Sequence, residues 1–311
     1  METRNLGTSP LKVSLVGIGC NNFGVRIDRE QSRAVIHKAL DLGITLFDTA
    51  DVYGNRGGSE TIMGEDLGPR RKDIVLATKF GLPMDKEGKL QGGSRSYIMS
   101  AVEASLKRLR TDWIDLYQYH RPDPNTPLDE TLRALDDLVK AGKVRFIGCS
   151  NMPAAQIEEA YGISNSRGFA HFVSCQDEYS LIARGMENDV IPAAKKHGMS
   201  LLPFYPLANG FLTGKYKRGE QAPGTRIAGN ESLQERILTD RNFTILEKLQ
   251  DFAKAKNRSM LELSFAWLAS RPQIASIIAG AARPEQLEQN VKAVSWKLSP
   301  DEVSEIDCLT G

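Results

Sequence analysis

Leu15-Val16-Gly17-Ile18-Gly19-Cys20-Asn21-Asn22 is a short apolar run that ends in a turn with two glycines and two asparagines. A run of this length closed by glycine reads as a buried strand, and the helical periodicity after it completes a βα unit. In a Rossmann sheet the first such turn needs a third glycine for close packing of helix on strand. Asn22 occupies that place. Repeated βα units without the glycine fingerprint favour a closed (β/α)8 barrel.

The alternation continues along the chain. Strands are expected at 15–19, 44–48, 74–79, 115–120, 144–149, 172–176, 200–204 and 274–278, preceded by a small hairpin around Gly7-Thr8-Ser9-Pro10. Helix signals lie between them. Asp28 and Gln31 form a capping-box pattern ahead of Val35, Ile36, Ala39 and Leu40, and Gly43 stands where a helix would stop. Thr126 reads as a cap with Pro127 at the first helical position, followed by a Leu132, Leu135, Leu138 stripe and Gly142. Further helices are expected near 58–67, 96–109, 153–161, 184–197 and 283–293. Residues 209–238, long, glycine-rich and polar, read as an active-site loop. Residues 239–269 read as two helices broken near Asn257, and 300–309 as a terminal helix outside the barrel. No composition break divides the chain, so the expectation is α/β: one domain over residues 1–311, a single (β/α)8 TIM barrel with an N-terminal β-hairpin and extra C-terminal helices.

The chain has 311 residues with 40 Lys plus Arg and 39 Asp plus Glu. That balance argues against nucleic acid or an anionic membrane as the main partner and for a small molecule. No apolar stretch approaches the roughly 18 to 20 residues of a membrane span, and Met1-Glu2-Thr3-Arg4 precedes no signal-peptide core, so a cytoplasmic location is expected. Cys20, Cys149, Cys175 and Cys308 form no CxxC pair and read as buried reduced thiols. His37, His171 and His197 lack ligand partners at metal-binding spacing, so no metal is expected. Oligomeric state stays open.

Three strand runs end in ionisable residues: Asp48 after Ile44-Thr45-Leu46-Phe47, Lys79 after Ile74-Val75-Leu76-Ala77-Thr78, and His120 after Asp115-Leu116-Tyr117-Gln118-Tyr119, with Tyr53 close behind Asp48. Parallel strands share an edge at their carboxyl ends, so these four side chains converge. A tyrosine has an ordinary pKa near 10 and needs a cation to act as an acid or base at neutral pH. Lys79 could supply it, with Asp48 as the counter-charge that keeps the lysine protonated. Lowering the tyrosine pKa by about 2 to 3 corresponds to roughly 3 to 4 kcal/mol, within reach of a close ammonium. His120 would orient a carbonyl oxygen. Taken singly, Asp48 would be a turn acid and Lys79 a solvated strand end; neither explains three strand ends together. Asp51 reads as a turn residue, and Trp113 as packing.

Asp48-Thr49-Ala50-Asp51-Val52-Tyr53-Gly54, Ala77-Thr78-Lys79 and Asp115-Leu116-Tyr117-Gln118-Tyr119-His120 resemble the aldo-keto reductase superfamily, in particular its bacterial branch related to potassium-channel beta subunits. The resemblance implies a catalytic set of Asp48, Tyr53, Lys79 and His120 and a nicotinamide cofactor, NADPH preferred and NADH possible. In Gly148-Cys149-Ser150-Asn151 it implies that Ser150 and Asn151, joined by Gln176, hold the carboxamide. It places Phe204 against the nicotinamide, and makes Gly19, Asn21, Asp48, Tyr205 and Pro206 neighbours of the cofactor. Leu207, Asn209, Gly210, Lys215 and Arg226 fall in the loop that wraps the diphosphate in relatives. Gly280, Ala282, Arg283, Gln286 and Asn290 fall in the segment for the adenosine end, where Arg283 could pair with a 2′-phosphate.

The implied activity is NADPH-dependent reduction of an aldehyde or ketone, with Tyr53 as general acid. Two alternatives stay open: an NAD(P)⁺-dependent sugar or alcohol dehydrogenase running in the other direction, and a cofactor-binding regulatory subunit. Pocket walls are expected from residues 21–26, 80–93 and 209–236. Phe23, Phe80, Leu82, Met84 and Tyr205 suggest a partly apolar pocket and speak against small charged substrates.

Overall fold

The structure, a computed structural model, describes residues 1–220 and 223–311. β1 (Thr3–Asn5) and β2 (Lys12–Ser14) form the expected antiparallel hairpin, Arg4 opposite Val13. Leu6, Leu11 and Val13 of this unit pack on Leu46, Val75 and Val173, near the first residues of their strands. The Arg4 guanidinium donates to the carbonyls of Ala269, Arg271 and Ile274. The hairpin thereby plugs the amino-terminal end of the barrel.

Eight strands follow, all parallel: β3 (Val16–Gly19), β4 (Leu46–Asp48), β5 (Val75–Phe80), β6 (Ile114–Tyr119), β7 (Val144–Ser150), β8 (Phe172–Gln176), β9 (Ser200–Leu201) and β10 (Ile277–Gly280), in the order β10-β3-β4-β5-β6-β7-β8-β9. The ring closes where Leu201 bridges Ile274 and the Ile278 N–H donates to the Pro203 carbonyl at 3.0 Å. The fold is the expected TIM barrel. β9 is shorter than the expected 200–204, because Pro203 has no N–H to continue a ladder and Phe204 makes one isolated bridge with Glu178, and β10 lies at 277–280 where 274–278 was expected.

The helices are α1 (Arg29–Asp41), α2 (Tyr53–Asp66), α3 (Arg95–Leu109), α4 (Leu128–Lys140), α5 (Ala154–Arg167), α6 (Val190–Lys196), α7 (Glu231–Ile237), α8 (Asp240–Ala255), α9 (Met260–Ala269), α10 (Pro284–Ala293) and α11 (Pro300–Thr310). The Asp28–Gln31 capping box of α1 forms in both directions. At α4 the expected cap does not form. Pro127 itself takes the cap position, and the Thr126 hydroxyl donates to the Asp123 carboxylate at 2.7 Å, a charged acceptor that outcompetes the backbone. The expected helix at 184–197 is cut to α6 with a single turn of 3-10 helix ahead of it, because Asp189 caps Val190. Residues 209–238 are not loop throughout: Ala208–Thr213 is a kinked 3-10 segment, and Asn230 caps α7. No helix of the described residues is long and apolar enough to cross a membrane.

The strands and helices share one large apolar core, with Phe47, Phe211, Phe265 and Trp267 fully buried in it. Cys20, Cys149 and Cys175 are free and buried as expected; Cys308, on α11, is exposed.

Candidate active site

The barrel opens at the carboxyl ends of its strands into a cavity of about 650 Å³. Asp48, Tyr53 and His120 line it, and Lys79 lies behind them without exposed surface. Of the other expected site residues, Gly19, Asn21, Ser150, Asn151, Gln176, Phe204, Tyr205, Pro206, Leu207, Asn209, Gly210, Lys215, Arg226, Gly280, Ala282 and Gln286 line the same cavity. Arg283 and Asn290 do not. Arg283 is exposed at the start of α10, and Asn290 is buried one to two turns along that helix.

Asp48 organises the floor. Its Oδ2 accepts from Lys79 Nζ at 2.6 Å, while its Oδ1 accepts from Gln118 Nε2 at 3.0 Å and Gln176 Nε2 at 2.8 Å. Asp48, Gln118 and Gln176 come from β4, β6 and β8, so they form one of the layers that alternate strands build inside a barrel. Gln118 escaped notice in the sequence, although it lies two residues before His120, which stands just past the end of the same strand. Lys79 also donates to the Thr49 carbonyl at 2.8 Å, and its Nζ lies 4.9 Å from the Tyr53 ring centroid. The rings of Tyr53 and His120 meet edge to face at 5.8 Å. Tyr53 is followed by four residues in the left-handed region, Gly54, Asn55, Arg56 and Gly57. At Gly54 a Cβ would fall 2.2 Å from the Ser59 nitrogen, so this turn admits only glycine.

Burial opposes the charge on Lys79, but Asp48 and then Tyr53 outweigh it, and the lysine pKa is raised. The ammonium is secure. For Tyr53 the expected lowering is not the net result: burial pushes the hydroxyl up and Asp48 adds to it, while the Lys79 charge offsets only part. Tyr53 therefore keeps its proton at neutral pH. Burial, helped by Lys79 and Arg121, drives His120 down to about 2, so the imidazole is neutral. Asp51 does not reach the cavity. It is buried beside α3, accepts from Tyr97 Oη at 3.2 Å, and burial with neighbouring Glu60 raises it to about 7.

Several lining groups lack partners: His120 Nδ1, Asn22 Oδ1, and both amide atoms of Asn209 are buried with no hydrogen bond among the described residues. Orphaned polar atoms that converge on one cleft are what a large polar ligand would satisfy. The expected apolar wall is mostly absent. Of its five residues, Leu82 and Tyr205 line the cavity, whereas Phe23 is fully buried in the core, Phe80 is buried between Tyr117 and Tyr119, and Met84 lies outside the lining. Phe80 follows Lys79, and the strand's period of two turns it to the outer, helix-packed face. Arg26 lines the mouth within the expected wall at 21–26, whereas the sequence expectations passed over Arg121 and Glu178, charged residues that also line it. Their loop positions show no periodicity that would have singled them out.

The aldo/keto reductase family profile matches residues 15–310. A probable voltage-gated potassium channel subunit beta of Arabidopsis thaliana is 37% identical over 303 residues, covering 94% of this chain and 91% of the relative. The L-glyceraldehyde 3-phosphate reductase of Escherichia coli strain K12 is 32% identical, covering 99% of this chain and 92% of that protein. The versiconal hemiacetal acetate reductase of Aspergillus parasiticus is 33% identical, with 99% and 96% covered. On fold, profile and relatives together, the chain belongs to the aldo/keto reductase family, a family of oxidoreductases that act on carbonyl compounds.

Proposed function

We propose that this protein is an NADPH-dependent carbonyl reductase in which Tyr53 is the general acid. The observation that carries the proposal is the Asp48–Lys79 pair at 2.6 Å, set against the Tyr53 ring at the wall of a cleft large enough for a dinucleotide. When bound, the reduced nicotinamide supplies the hydride that the carbonyl carbon accepts. The residues of the chain handle the proton. As the carbonyl oxygen takes over the electron pair of its π bond, the Tyr53 hydroxyl gives that oxygen its proton, and the alcohol leaves. The tyrosinate left behind faces the Lys79 ammonium, which stabilises it until water returns a proton. Neutral His120 presents a ring N–H to the oxygen and so fixes the side from which the carbon is approached. Asp48 keeps the buried Lys79 charged.

The cofactor fits the orphaned groups. Ser150, Asn151 and Gln176 would hold the carboxamide and Phe204 would cover the ring. Asn209, both of whose amide atoms lack a hydrogen bond among the described residues, would join Leu207, Gly210, Lys215 and Arg226 on the diphosphate. Gly280, Ala282 and Gln286 would receive the adenosine end. The 2′-phosphate is what separates NADPH from NADH, and Arg283, exposed at the start of α10, would pair with it by turning toward the cleft. The same groups would serve the oxidative direction, and the likeness to a channel subunit keeps a regulatory role as the second reading.

Replacing Tyr53 by Phe should lower kcat by about 10²- to 10⁴-fold, the usual weight of a general acid, while NADPH fluorescence titration still reports binding. An unchanged kcat across a panel of aldehydes, ketones and quinones would overturn the assignment. Turnover too slow to matter on every carbonyl tried, with a stoichiometric partner in a pulldown, would favour the regulatory reading.

A further inference from the structure

Four cationic side chains line the cavity, Arg26, Arg121, Lys215 and Arg226, against two acidic ones, Asp48 and Glu178. Both acids are already matched, Asp48 by Lys79 at 2.6 Å and Glu178 by Arg236 at 2.5 Å. None of the four cations has an acidic partner within ion-pair distance among the described residues. A cleft with this surplus concentrates anions. Three of the four fall on one side. Arg26 follows β3 and Lys215 and Arg226 follow β9, the strands flanking β10, and the charges of Arg26 and Arg226 act on one another. The diphosphate and 2′-phosphate of the proposed cofactor would neutralise this group, a phosphomonoester alone bringing about 1.5 to 2 negative charges.

Arg121 stands apart. It lies two residues past the end of β6, three strands from β3 and three from β9 around the ring, and is joined to His120, the residue assigned to the carbonyl oxygen. An arginine there is left without a counter-charge after the cofactor is accounted for, and its planar fork suits a bidentate oxyanion.

We propose that Arg121 binds an anionic group of the substrate, so that the protein acts on carbonyl compounds carrying a phosphate or carboxylate. The inference rests on the reductase reading and reverses the expectation that charged substrates are disfavoured, which was drawn from five residues of which only Leu82 and Tyr205 line the cavity. The test compares two pairs of like-sized aldehydes, glyceraldehyde 3-phosphate with glyceraldehyde and succinic semialdehyde with butanal, on wild type and Arg121→Gln. Wild type should favour an anionic member by at least tenfold in kcat/KM, the pair showing which oxyanion is preferred, and Arg121→Gln should cut that ratio at least tenfold through KM. Equal use of both members by wild type, an unaltered ratio in the variant, or a weakened NADPH Kd in the variant would overturn the proposal. If wild type reduces none of the four, the reductase reading itself is in question. Calorimetric titration of the NADP⁺-loaded protein with glycerol 3-phosphate and with butyrate then decides the anion site: binding lost in Arg121→Gln supports it, and equal binding, or none by wild type, overturns it.

Discussion

Gln176 donates to Asp48 across the barrel, Nε2 to Oδ1 at 2.8 Å, so the residue proposed for the cofactor carboxamide and the counter-ion of Lys79 are one hydrogen-bonded unit. Gln118 completes it, donating to the same oxygen at 3.0 Å and lying 3.2 Å from Gln176 Nε2 through its own carbonyl. A carboxylate that takes three donors is fixed in rotation, and the lysine it holds is fixed with it.

Gln118→Leu keeps the volume and removes both contacts. Asp48 Oδ1 keeps one donor of two, and Gln176 loses an acceptor; a buried polar group left short costs about 1 to 3 kcal/mol. If part of that falls on the transition state, kcat drops roughly 3- to 30-fold, and the NADPH Kd rises in parallel because Gln176 is loosened. Steady-state kinetics with a fluorescence titration checks both. Wild-type values for the two together would show that Gln118 is only a filler of the barrel.

His120 makes stability sensitive to acid. Its pKa is about 2 in the fold and 6.5 as the ordinary value, so below 6.5 the unfolded chain takes up a proton that the native one refuses. Stability from this group is therefore whole above pH 6.5 and is lost as pH falls toward 2. At pH 5 the loss is about 2 kcal/mol, from 1.36 kcal/mol per pH interval. His120→Asn should flatten the urea midpoint between pH 6.5 and 5, measured against wild type; parallel curves would refute it.

The barrel was legible because its strands are short, mostly buried apolar runs separated by helical periodicity, and Asp48, Lys79 and His120 were legible because ionisable residues stand at or beside the ends of three such runs. Gln118 hid inside such a run, where an amide between two tyrosines reads as a flaw in an apolar strand. Arg121 and Glu178 sit on loops, where contact depends on how distant segments meet. Phe23 and Phe80 misled for a related cause: an aromatic near a strand end can face the helices as readily as the mouth, and both went to the core.

Asp51 should act in the opposite sense to His120. Burial and Glu60 raise its carboxyl from 3.8 to about 7, so between those values the folded chain holds a proton that the unfolded one has released. Stability from this group is present below pH 3.8 and is lost as pH rises to 7. Asn at this position keeps an acceptor for the Tyr97 hydroxyl and carries no charge to bury. Asp51→Asn should therefore stabilise by up to about 2 to 4 kcal/mol at pH 8 and much less at pH 5. Thermal melts at the two pH values decide; an equal gain at both would mean that the carboxyl is not titrating in the fold.

Arg56 stores strain next to Tyr53. Its φ is +69°, its side chain is exposed, and among the described residues only its backbone N–H, donating to the Val52 carbonyl at 3.1 Å, anchors it. A left-handed residue with a Cβ costs about 1 to 2 kcal/mol, and glycine avoids that at roughly 0.5 to 1 kcal/mol of added chain entropy in the unfolded state. Arg56→Gly should accordingly raise stability by about 0.5 to 1 kcal/mol, or 1 to 2 °C in Tm. The turn it belongs to carries Tyr53 into the cavity wall, and a looser turn blurs the distance from hydroxyl to substrate. The variant should thus be more stable and no faster, with kcat equal to or below wild type. A destabilised Arg56→Gly would mean that the arginine side chain makes a contact worth more than the strain it imposes.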